Sequence, residues 1–151
     1  MSAINSKFSK IIVAIDGSDH SIRAAEYALN LAKTYGAELN AVTVTSVPES
    51  YHSKQEEVLE HSSGISESSE DAKRWFEKFN EKAKENNIQL KTELISSHRP
   101  VDYVLLEYAE KENIDLIVLG TKGRSGFKKL LLGSVASGVV TYAHCPVLVV
   151  K

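Results

Sequence analysis

At 151 residues, 42% hydrophobic and 25% charged, the chain has the makeup of one soluble globular domain, large enough to bury a core without metal or disulfide. A net charge of −2 supplies no global field for nucleic acid or an acidic membrane, so neither is an expected partner. No run approaches the roughly 20 apolar residues of a membrane span, residues 1–10 lack the apolar stretch of a secretory signal, and the lone Cys145 can close no internal disulfide, so a soluble, cytoplasmic protein is expected.

In chain order, the β-branched run Ile11 to Ile15 reads as a buried strand, and Asp16-Gly-Ser-Asp19 supplies turn and helix-capping chemistry, with Asp16 a candidate cap. Ile22, Ala25, Leu29 and Ala32 recur at helical spacing, and Gly36 follows as a C-cap. Leu39 to Val47 is strand-like and stops at Pro48. From Glu49 to Glu70 seven serines and six glutamates with few apolar residues predict a solvated, flexible loop at about 48–66 within the single domain. Trp75, Phe76, Phe79 and Ala83 form the apolar stripe of a second helix, a spacing that suits packing rather than base stacking. Ile88 to Ile95 alternates as an edge strand does, and Pro100 opens a third helix through Val101, Val104, Leu105 and Tyr108. Asp115 to Gly120 is a further buried strand, Ser134 to Ala143 a fourth helix facing inward through Val135, Val139 and Val140, and Pro146 to Val150 a last strand. Strands alternating with helices predict parallel strands joined by right-handed crossovers, hence a doubly wound α/β sheet with helices on both faces.

Ligands of such sheets sit beyond the carboxyl ends of the strands. Two strand ends here carry suitable chemistry, Asp16-Gly-Ser18 and the segment from Gly120 to Ser134. Glycines at 120 and 123 would permit positive φ angles and close backbone approach to an anion. Gly133-Ser134 opens a helix whose free N–H groups and positive dipole end favour phosphate. Between 120 and 134 there are four basic residues, Lys122, Arg124, Lys128 and Lys129, and no acidic one; Lys122 and Arg124, nearest the glycines, are the phosphate candidates. Neither a Walker loop nor Gly-x-Gly-x-x-Gly is present.

The spacing Gly-x2-Gly-x9-Gly-Ser, with Gly120, Gly123, Gly133 and Ser134, resembles that of the universal stress protein family. Further likeness spans nearly the whole chain: Ile-Val-Ala-Ile-Asp-Gly-Ser at 12–18, Gly-Ala-Glu-Leu at 36–39, Asp-Leu-Ile-Val-Leu-Gly at 115–120 and His-Cys-Pro-Val-Leu-Val-Val at 144–150. The resemblance implies a five-stranded sheet of order 3-2-1-4-5, membership of the ATP-binding branch, and a homodimer paired through strand 147–150. It further implies that Ala14, Ile15 and Asp16 line the nucleoside, that Val44 contacts adenine, and that Leu119, Gly120, Gly123, Gly133, Ser134 and Val135 hold ribose and phosphates. Ala136 stands where such proteins often carry a hydroxyl.

The function expected is a nucleotide-dependent sensor or regulatory module holding ATP, ADP or AMP, with magnesium, if it accompanies ATP, reached by Asp16 through water. A slow ATPase or self-phosphorylating enzyme ranks second, because the glycine segment offers no water-activating carboxylate or histidine; Thr121, Ser125 and Ser134 are its possible phosphoacceptors.

Overall fold

The computed structural model describes residues 7–47, 63–121 and 132–151. Its elements are β1 (Lys10–Ala14), α1 (Asp19–Tyr35), β2 (Glu38–Ser46), α2 (Ser63–Glu85), β3 (Leu90–Ser97), α3 (Val101–Lys111), β4 (Leu116–Gly120), α4 (Ser134–Tyr142) and β5 (Val147–Val150). The five strands form one parallel sheet in the order β3-β2-β1-β4-β5, with Val13 opposite Ala41 on one side and Val118 on the other. The strand order reverses between β1 and β4, leaving a crevice at their carboxyl ends.

Alternation along the strands divides the core. Ile11, Val13, Leu39, Ala41 and Val118 pack with α1 and with Phe79 and Ala83 of α2. Ile12, Val42, Ile117 and Leu119 face α3 and α4, where Leu105, Tyr108 and Val139 meet them. Both faces of β1 and β4 are thus buried, as expected of continuous β-branched runs in a parallel sheet. No helix among the described residues is long and apolar enough to cross a membrane.

Several local expectations shift. Of the stretch read as a loop, 48–62 lies outside the described residues, whereas Ser63 onward is already α2. Serine costs a helix only about 0.5 kcal/mol per residue, and extending a formed helix adds a hydrogen bond per residue, so composition places such a boundary poorly. Pro100 caps α3 with extended ψ of 145° rather than opening it. The cap of α1 is Ser18, whose side chain accepts from the Ser21 N–H at 3.2 Å, not Asp16. Ile22 is 43% exposed and Val140 47%, while their neighbours Ser21 and Ala136 are buried. In α4 the face set by Val139 continues to Ala136, three residues away, and carries Val140 outward by about 100°.

Tyr108 supplies a pH test of this packing. Burial first, and the Glu93 carboxylate second, hold its phenol far above the usual range. The unfolded chain releases this proton near pH 10 while the folded chain keeps it, so stability falls as pH rises above about 10, by at most about 1.4 kcal/mol per unit. Denaturant unfolding of native protein and Tyr108→Phe between pH 9 and 11.5 is expected to show a steeper loss in the native protein; parallel curves would contradict the assignment.

Candidate functional site

A cleft of about 290 Å³ opens at the strand-order reversal. Its floor is the carboxyl ends of β1, β2 and β4. Its far wall is formed by α3 and the first turn of α4.

The β1 end enters the cleft through a locally bonded turn. The Ser18 N–H donates to Asp16 Oδ1 at 2.9 Å, and the Gly17 N–H donates to Ser21 Oγ at 3.1 Å. Ser21 Oγ in turn donates to the Ser18 carbonyl at 2.9 Å. This network lets Gly17 take a φ of +84°, the left-handed region that suits glycine. Ile15, at the strand's end, donates its N–H to the Val42 carbonyl at 2.9 Å, tying β1 to β2 beside the cleft.

The β4 end is held differently. Gly120 does not have positive φ: among described glycines only Gly17 and Gly36 do. The expectation of a left-handed Gly120 is therefore corrected. A Cβ at Gly120 would stand 2.7 Å from His20 Cβ and 2.8 Å from the His20 carbonyl carbon, so its small size lets α1 pack directly on β4. Thr121 follows, buried, its Oγ1 3.4 Å from His20 Nδ1 and its N–H donating to the Val150 carbonyl at 2.9 Å. The Thr121 carbonyl accepts from the Gly133 N–H at 2.6 Å, which brings the two ends of the glycine segment together.

Gly133 then caps α4 with extended backbone and no side-chain hydrogen bond. Ser134, Val135 and Ala136, the first turn, all line the cleft. A helix start without a side-chain cap leaves first-turn N–H groups to bind an anion, reinforced by the helix dipole. Deeper in, Val42, Val44, Val101, Leu105 and Leu119 make an apolar wall. One cleft thus joins an apolar slot to an anion-seeking helix end, with Asp16 the one ionisable residue among its described lining.

Nine expected site residues meet here: Ala14, Ile15 and Asp16 from the β1 end, Val44 from β2, Leu119 and Gly120 from β4, and Gly133, Ser134 and Val135 at the start of α4. Lys122, Gly123 and Arg124 lie outside the described residues. Sequence reasoning did not place Ser21, Val42, Val101 or Leu105 in the site. Val42 was within reach, being two residues before Val44 on the same strand face.

The universal stress protein family model matches residues 7–151. The chain belongs to the universal stress protein family. This universal stress protein is 39% identical over 144 residues to universal stress protein MJ0531 of Methanocaldococcus jannaschii, an alignment covering 95% of this chain and 82% of that one. Universal stress protein UspA from Lactobacillus plantarum has the same fold, with a TM-score of 0.77, 30% identity, and coverage of 97% of this chain and 100% of that one. A universal stress protein from Archaeoglobus fulgidus, solved in complex with dAMP, superposes with a TM-score of 0.64 at 22% identity, over 95% of this chain and 98% of that one.

Proposed function

We propose that this universal stress protein binds an adenine nucleotide, with ATP the fullest ligand, in the cleft between the β1, β2 and β4 ends and the start of α4, and that it acts as a nucleotide-dependent regulatory module. The carrying observation is the convergence in one cleft of an apolar slot, the Asp16 carboxylate and a helix start without a side-chain cap. In this reading the valines and leucines enclose the base, Asp16 faces the ribose or a water-bound magnesium, and the Ser134 to Ala136 N–H groups face phosphate. The basic residues Lys122 and Arg124 and the glycine Gly123 complete the phosphate side. The dAMP complex of the Archaeoglobus relative supports the choice of an adenine nucleotide.

The same described lining supports binding rather than efficient turnover. Asp16 Oδ1 already serves the turn, and the described lining holds no histidine or second carboxylate to activate water. Of the hydroxyls considered as phosphoacceptors, Thr121 is buried, Ser134 is exposed and Ser125 lies outside the described residues, so among the described ones the alternative of slow self-phosphorylation falls on Ser134. We also propose the homodimer, paired through β5, an edge strand in which Val147, Leu148 and Val149 are only half-buried. A monomer in sedimentation at high micromolar concentration would remove it.

Denaturing the purified protein should release an adenine nucleotide, and titration calorimetry of stripped protein should show ATP binding. Ligand at 100 times its Kd adds about 2.7 kcal/mol to stability, a visible thermal shift. No adenine nucleotide binding tighter than about 1 mM would defeat the proposal. Ala136→Ser restores a hydroxyl in the first turn of α4; a hydrogen bond to charged phosphate is worth about 1.5 kcal/mol, so ATP affinity should rise roughly tenfold in the same calorimetric assay.

A further inference from the structure

Trp75 is the only tryptophan of the chain and lies in α2, outside the residues that line the cleft. Its indole packs on the turn that carries Asp16: a Cβ at Gly17 would overlap the ring, and the three atoms nearest that position all belong to Trp75. The same turn holds Asp16 Oδ1 through the Ser18 N–H and Gly17 through Ser21 Oγ. Tilting Gly17 therefore moves the Asp16 carboxylate and the entry to α1 together.

We propose that Trp75 is a positioning residue for nucleotide binding, its indole seated on Gly17 so that docking of α2 fixes the turn presenting Asp16 to the ligand. The inference rests on the reading of the cleft as a nucleotide site. Coupling of this kind is reciprocal: if a docked indole favours bound nucleotide, bound nucleotide favours the docked indole.

Phe79, one turn further along α2, is buried in the core and serves as the control. Calorimetry with ATP on native protein, Trp75→Leu and Phe79→Leu, with melting temperatures measured in parallel, separates positioning from packing. Trp75→Leu should bind ATP roughly tenfold more weakly, within the 5–150-fold span of ordinary site coupling. Phe79→Leu should lose at least as much melting temperature yet bind as native. ATP should also change the emission of Trp75 in native protein, saturating at the calorimetric Kd. Native-like affinity in Trp75→Leu, equal weakening in both variants, or an unresponsive emission in protein that binds ATP would each overturn the inference and leave the nucleotide site standing. Native protein that takes up no adenine nucleotide would overturn both.

Discussion

Alanine in place of Gly17 is expected to lower the stability of the folded protein by about 2–5 kcal/mol. Two costs combine. A side chain held at φ +84° is in left-handed territory, unfavourable by roughly 1–2 kcal/mol for an L-residue. Its Cβ would also overlap the Trp75 ring, and overpacking of this kind costs about 1–3 kcal/mol. For a chain of this length each kcal/mol moves the melting temperature by about 2–4 °C, so a fall of roughly 4–20 °C should appear in a thermal scan. Pairing Gly17→Ala with Trp75→Ala in a double-mutant cycle isolates the second cost, because removing the ring relieves the overlap and leaves the backbone strain. An unchanged melting temperature in Gly17→Ala would mean that the turn is not built as described.

Gly120→Ala should be nearly as harmful to stability and worse for ligand. Here no left-handed backbone is involved, and the obstacle is the His20 carbonyl carbon, 2.8 Å from the new Cβ. Backbone cannot rotate aside as a side-chain tip can, so α1 must retreat from β4 at a cost of about 1–3 kcal/mol. That retreat separates the Asp16 turn at the head of α1 from Ser134 across the cleft. If one charge-assisted hydrogen bond is lost as a result, ATP affinity falls by about 1.5–3 kcal/mol, tenfold or more. Calorimetry beside a thermal melt checks both numbers, and native-like ATP affinity in a destabilised Gly120→Ala protein would show that the α1–β4 spacing does not set the site.

The architecture was readable in the chain because its elements announce themselves locally. Ile11 to Ile15 and Leu116 to Leu119 are short β-branched or apolar runs bounded by turn residues, and parallel order follows from the helices between them. The two glycine-bearing strand ends were legible for the same reason, and the family likeness supplied the residues between them. What the sequence concealed lies in contacts between distant segments. Gly120 was read as a residue of positive φ open to an anion, whereas its small size is required by His20, a hundred positions earlier. Gly17 read as a turn residue, and its neighbour Trp75 as core, without a signal that the two touch. Val101 and Leu105 were read as part of the third helix, yet only the placement of that helix over β2 makes them a wall of the cleft. Periodicity tells which side of a helix is inward, not what it will face.

The hydrogen bond from the Gly133 N–H to the Thr121 carbonyl has a consequence for what the fold tolerates. It ties Thr121 to Gly133 across the eleven intervening residues, 122–132, and both ends are further anchored, Thr121 by its N–H to the Val150 carbonyl of β5 and Gly133 by its carbonyl, which accepts from the Ser137 N–H at 2.9 Å. Closing a longer loop over fixed ends costs only about 0.6 kcal/mol for each doubling of its length. Insertions, deletions or charge changes between positions 121 and 133 should therefore cost the fold little, while the described lining of the cleft stays in place.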